Sequence, residues 1–360
     1  MADCGQDEMR GAVFLAPGAW ELQTRPVVEP AAGEALVRVA ACGLCGTDLH
    51  IYHGRFPATF PVIPGHEFAG EVMAVGPGVE HVAPGQRVSV DPVIPDGVCD
   101  PCRRNLRHLC VNLRAPGIQL DGGFATHCVL PARQLLAIPD SLSYEDAALL
   151  EPLACVLHGL DLVEIRPGDR AAIIGAGWIG LLMLQCVRLR GAAHIIVSEP
   201  VAFKRERAAA LGADVVVDAR AGSMADAVAA TSPGGVDIAI ECVGTAGTAA
   251  EATKLVREGG TVLFFGVAPP EAEIAVRPFD IYRRELKIVG SFSTPHKHSH
   301  ALRLAAGGAP PAGKRIELSS LVTHRFGLAD LDQAMDCLAR GEAIKALIVP
   351  QNLAGSEGSV

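Results

Sequence analysis

Over the first 150 positions, apolar residues come in short runs broken by proline and glycine. Ala35–Cys42, Phe68–Val75, Arg87–Val90 and Ala125–Leu130 read as strands, with Pro64-Gly65, Gly76-Pro77-Gly78 and Pro84-Gly85 as turns between them. From Tyr144 to Val163 the apolar spacing becomes helical, with Asp140-Ser141 or Ser143 as the cap. After Pro167-Gly168-Asp169 strands and helices alternate. Arg170–Ile174, His194–Ser198, Val215–Asp218, Val236–Cys242, Gly260–Gly266 and Leu286–Gly290 read as strands. Ile179–Leu189, Phe203–Leu211, Met224–Ala230 and Thr248–Val256 read as the helices between them. Such alternation predicts right-handed βαβ units on a doubly wound parallel sheet, an α/β fold. The tail predicts a helix over Leu328–Ala339 and short strands near Leu321–Phe326 and Lys345–Val349.

A chain of 360 residues exceeds one compact core, so two domains are expected. With 49% hydrophobic and 20% charged residues, disorder is excluded, and 39 glycines with 25 prolines suit short elements joined by tight turns. A net charge of −9 argues against nucleic acid as a partner. No apolar run reaches the roughly 18 residues of a membrane span, and the acidic start (Asp3, Asp7, Glu8) lacks a secretory pattern, so a cytoplasmic protein is expected. In a reducing compartment the eleven cysteines are not a disulfide framework, and the number is odd in any case.

Gly175-Ala176-Gly177-Trp178-Ile179-Gly180 lies between an expected strand and an expected helix. There the first glycine permits a tight turn, the second lets the backbone approach a pyrophosphate, and the third lets helix pack on strand. Glu199 ends the next strand, about 20 residues on, where a carboxylate accepts from the adenosine ribose and repels a 2′-phosphate. NAD is therefore favoured over NADP, although Lys204 and Arg205 pull the other way. The competing reading has the glycines serving helix packing alone; Trp178, within the cofactor-binding turn with Ile179, either shields the pyrophosphate or packs, and packing is preferred.

Two clusters carry metal-ligand residue types. Cys45-Gly46-Thr47-Asp48-Leu49-His50 precedes Gly65-His66-Glu67, offering thiolate, imidazole and carboxylate donors suited to zinc. Asp96, Cys99, Cys102 and Cys110 follow at short, regular gaps. Most of the remaining cysteines, such as Cys128, Cys155, Cys186, Cys242 and Cys337, sit in apolar stretches, where a thiol behaves as a small hydrophobe.

The Cys-Gly-x-Asp-x-His and Gly-His-Glu-x-x-Gly (through Gly70) motifs, followed by the glycine-rich turn, resemble the zinc-containing medium-chain dehydrogenases. The sorbitol and threonine dehydrogenase branch is the most similar. That resemblance implies a GroES-like β-rich catalytic domain over 1–154, a Rossmann NAD-binding domain over 155–292, and a return to the catalytic domain over 293–360. It implies Cys45, His66 and Glu67 as ligands of a catalytic zinc, with Asp48 orienting His66. Glu151 stands where simple alcohol dehydrogenases have a cysteine ligand, as in enzymes acting on polyols or threonine, either on the metal directly or through water. Thr47 and His50 are implied as the path that carries the reaction's proton to solvent. The family has a fourth cysteine where this chain has Asp96, so the second cluster is either an aspartate–tricysteine zinc site, the reading adopted, or a lobe that has lost its metal.

These readings point to an NAD-dependent dehydrogenase of a secondary alcohol, a polyol or sugar alcohol, in a homodimer or homotetramer. Alternatives are an L-threonine or vicinal-diol dehydrogenase and a non-catalytic nucleotide-binding relative. Pro295-His296-Lys297-His298-Ser299-His300 is read as a helix start or interface segment rather than a third metal site. Phe56 and Phe292 are assigned either to a substrate cleft or to the core.

Overall fold

A computed structural model describes residues 8–307 and 316–351. The chain forms two compact units, one running to Ala154 and resuming at Thr294, the other comprising Cys155–Ser293. No helix among the described residues is long and apolar enough to cross a membrane.

The first unit opens with a hairpin of β1 (Glu8–Ala16) and β2 (Ala19–Pro26). Its main sheet uses β3 (Glu34–Leu44), β4 (Glu67–Val75), β5 (Arg87–Val90), β6 (His127–Pro131) and β7 (Leu135–Ala137). Long β3 is the hub, pairing antiparallel with β4 and β6. Phe14, Phe68, Phe124, Val37 and Leu130 are among the buried side chains of its core.

The second unit is a parallel sheet of β8 (Arg170–Ile174), β9 (His194–Glu199), β10 (Val215–Asp218), β11 (Val236–Glu241), β12 (Val256–Phe264) and β13 (Lys287–Gly290). Their order is β10-β9-β8-β11-β12-β13, so the winding reverses between β8 and β11. Ligands of such sheets bind at the strands' carboxyl ends at that reversal. The near-continuous burial of β8, β9 and β11 is what a sheet covered on both faces requires. Back in the first unit, β14 (Val322–Phe326) runs parallel to β15 (Lys345–Ile348), and β15 joins β3 antiparallel, with Ala346 opposite Leu44.

One expected helix is two. The Tyr144–Val163 pattern breaks at Leu149, giving Tyr144–Ala148 and Leu150–Asp161. Pro152 explains the break. It has no N–H to offer the Ala148 carbonyl and its ring would clash there, so it is accommodated in the first turn of a new helix. Glu151 is thereby placed at a helix start.

Candidate active site

The first metal cluster is assembled at the ends of β3 and β4. Cys45 directly follows β3 and caps helix Gly46–Tyr52; His66 precedes β4, and Glu67 is its first residue. Gly43 lies opposite Glu67 in the antiparallel register. One ligand atom from each of Cys45, His66 and Glu67 falls within 4.8 Å of the others. His66 and Glu67 are buried, and Cys45 is half-buried.

Asp48, fully buried, ties the two ligand segments together. Its carboxylate accepts from the Cys45 N–H at 2.8 Å and from the Gly65 N–H at 3.3 Å, and it lies 3.6 Å from His66 Nδ1. Burial on its own would lower the His66 pKa, but hydrogen bonding to Asp48 and Cys45 outweighs it and raises the pKa well above the usual value. The pocket therefore favours positive charge, and its thiol, imidazole and carboxylate are zinc donors; the residues fit the metal. Glu151 is buried but stands outside the converged group. Thr47 Oγ1 lies 3.7 Å from Cys45 Sγ, and His50 is on the same short helix, three residues on.

A residue that the motifs do not reveal belongs to this pocket. Lys345, the first residue of β15, is buried with its Nζ 2.5 Å from Glu67 Oε2 and donates to the Leu44 carbonyl at 3.0 Å. Burial opposes its charge, but Glu67 and Cys45 more than compensate and its pKa is raised. The pair reaches across β3 at Gly43, where a Cβ would sit 2.1 Å from Glu67 Oε2 and 3.0 Å from Lys345 Cε. Only glycine leaves room for that crossing. The sequence signal was a lysine opening an otherwise apolar strand.

The second cluster brings Asp96, Cys99, Cys102 and Cys110 within the same 4.8 Å limit. Asp96 Oδ1 accepts from the Val98 and Cys99 N–H groups at 2.9 and 3.1 Å, and Oδ2 accepts from Asn112 at 2.8 Å. These donors hold its pKa far below the usual carboxylate range. The ionised carboxylate thus faces three thiols, with Cys99 and Cys110 Sγ atoms 3.7 Å apart. That set also suits zinc. Among the described residues no metal-capable group includes the histidines at 296–300. His298 instead starts a helix and meets Ser89 Oγ at 2.8 Å, while His296 meets Asn105 Oδ1 at 3.1 Å.

In the second unit the glycine-rich turn joins β8 to helix Trp178–Leu189. Gly175 has φ +96°, and a Cβ on Gly180 would lie 1.9 Å from the Gly175 carbonyl oxygen, so the fold itself demands both glycines. Gly177 differs. Its φ is −67°, and a Cβ there would meet no atom within 4 Å. Packing does not explain this glycine, and its bare Cα at a helix N-terminus leaves room for an anion to approach the backbone. Ile179 follows in the first turn, and Trp178 is buried at 8% exposure. Glu199 is also buried and accepts from the N–H groups of Ala176 at 2.8 Å and Val201 at 3.0 Å, fixing the glycine turn to the end of β9. Lys204 is buried, its Nζ 5.7 Å above the Phe203 ring. Phe56 packs against the first unit's core, and Phe292, in the second unit, is 52% exposed.

A metal pocket of this composition and a dinucleotide turn on a doubly wound sheet define a zinc-dependent, nucleotide-linked dehydrogenase. Comparison with known proteins supports that class. Residues 31–140 match the alcohol dehydrogenase GroES-like domain, and 179–307 match the zinc-binding dehydrogenase family. The chain is 39% identical over 328 residues to D-altritol 5-dehydrogenase of Agrobacterium fabrum, covering 90% of this chain and 94% of that one. It is 33% identical over 321 residues to D-arabinitol dehydrogenase 1 of Uromyces fabae, covering 88% and 90%. A zinc-binding dehydrogenase from Sinorhizobium meliloti, solved with NADP bound, superposes with a TM-score of 0.91 at 41% identity, over 96% of this chain and 100% of that one. The chain belongs to the zinc-containing alcohol dehydrogenase family, NAD(P)-linked enzymes acting on CH–OH groups.

Proposed function

We propose that the chain oxidises a secondary carbinol of a polyol or sugar alcohol, reversibly, with NAD as the preferred acceptor. The observation that carries the site assignment is the convergence of Cys45, His66 and Glu67 on one pocket. The substrate class is supported by Glu151 in place of a cysteine and by the altritol and arabinitol enzymes among the relatives. Bound zinc would supply Lewis acidity toward the alcohol oxygen, and the nicotinamide would accept the hydride. Cys45, His66 and Glu67 hold the metal and Asp48 fixes His66 in orientation. Gly177 and the helix start behind it receive the pyrophosphate, and Glu199 places a carboxylate at the end of β9 that disfavours a 2′-phosphate.

Initial rates on D-altritol, D-arabinitol, sorbitol, L-threonine, 2,3-butanediol and ethanol, each with NAD and with NADP, test this reading. The highest kcat/KM is expected for a polyol with NAD. A preference for L-threonine or for the diol would overturn the substrate class, and nucleotide binding without turnover on any alcohol would favour a binding protein.

Thr47 and His50 carry the released proton outward. Burial first, and then the nearby Arg55 and His53, lower the His50 pKa from its ordinary value, so the imidazole is neutral and able to accept at pH 7. Oxidation should therefore decline as pH falls through that lowered pKa. His50→Ala is expected to slow oxidation about tenfold at pH 7, a modest share of what a general base contributes, with recovery near pH 9, where solvent can take the proton. A pH–rate profile identical to the parent's would remove His50 from the path.

A homo-oligomer is proposed as well. β13 is an edge strand with three of its four residues exposed, and helix Pro278–Arg284 before it buries none. With Phe279 68% and Tyr282 79% exposed, this edge suits pairing with a second copy. Sites built on reduced thiols support a cytoplasmic setting.

A further inference from the structure

We propose that Lys345 is a resident counter-ion for Glu67, standing in for the metal's charge when the pocket is empty and making the metal exchangeable. The inference rests on the assignment of Cys45, His66 and Glu67 as metal ligands.

Glu67 is 1% exposed and Lys345 is 3% exposed, with 2.5 Å between Nζ and Oε2. A carboxylate so deeply buried has little water to balance it, and removing the ammonium 2.5 Å from it takes away a close buried counter-charge, which is strongly destabilising. The fold commits space to this pair. It places Lys345 on β15 and Glu67 on β4, two strands apart, and keeps the strand between them bare at Gly43. The ammonium is anchored further by the Leu44 carbonyl at 3.0 Å, one residue from Cys45.

Two consequences for metal binding have the same sign. With Lys345 present, the metal-free pocket is charge-compensated, so losing the dication exposes no bare carboxylate. With the dication present, the ammonium repels it and competes for Glu67. Lys345 therefore weakens zinc binding and protects the metal-free protein, acting on the metal through Glu67. A merely structural lysine would have the opposite signature, because its loss would loosen the pocket and weaken zinc.

The test is zinc titration of metal-free full-length protein against a chromophoric chelator, with melting temperatures recorded before and after loading. Cys45→Ser in the same titration identifies the catalytic site as the binding event it removes. Lys345→Met is expected to tighten that event at least about tenfold and to lower the metal-free melting temperature by about 5 °C or more. The zinc-loaded form should change by only about 2 °C. Lys345→Arg should retain parental affinity, and Glu67→Gln/Lys345→Met, which removes both charges, should recover the metal-free melting temperature. Lys345→Met protein that folds only in zinc would be the same result in extreme form. Unchanged or weaker zinc binding in Lys345→Met would overturn the proposal, as would failure of both Met-containing chains to fold with or without zinc. If the parent shows no Cys45-dependent zinc event, the metal assignment itself has failed, a separate outcome.

Discussion

Cys45→Ser is expected to remove one zinc per chain and to reduce turnover by at least about a thousandfold. A bound Lewis acid contributes several kcal/mol to the transition state, and each 1.36 kcal/mol is a factor of ten in rate. The substitution is clean because Cys45 is also the N-cap of helix Gly46–Tyr52, and serine is among the best N-cap residues. The helix that presents Thr47 and His50 should therefore persist. Metal analysis and steady-state rates on the same preparation decide the matter. Retained turnover, or an unchanged zinc count, would refute the ligand role of Cys45.

The second large effect is expected in the Asp96 lobe. Helix Asp100–Arg103 buries no residue, and Val98, Leu109 and Val111 are 66%, 46% and 72% exposed. A segment with so little core depends on its ligand bonds. Cys102→Ala should lower the zinc content from two to one per chain and cost about 3 kcal/mol, lowering the melting temperature by roughly 5–10 °C. The remaining zinc should stay at the Cys45 site. A parent chain with one zinc, together with an unaltered melting temperature in Cys102→Ala, would mean that the lobe has lost its metal.

The parallel sheet was legible in the sequence because strands buried on both faces appear as continuous apolar runs, and β8, β9 and β11 do. The β1–β2 hairpin was not, because β2 alternates exposed and half-buried positions without an apolar signature. The split at Leu149 was hidden because periodicity alone carries through Pro152, although the proline's missing donor is a local rule. At the site, the family resemblance implied Cys45, His66 and Glu67 as ligands, and one ligand atom from each falls within 4.8 Å of the others. Asp96 takes its position through backbone donors that spacing could not show. The role of Lys345 was hidden for a different reason, although a lysine opening an apolar strand marked it. Its partner lies in the opposite part of the chain, and only the strand order β15-β3-β4 brings the two together.

That strand order has a consequence for synthesis. On the ribosome Glu67 emerges long before Lys345, and the whole Cys155–Ser293 unit is made in between. Until β15 arrives beside β3, the nascent N-terminal sheet buries Glu67 without its Lys345 partner, unless zinc is captured first. The second unit can complete its own sheet during that interval. Metal supply during translation, and not only afterwards, would then influence how much of the chain reaches the native state.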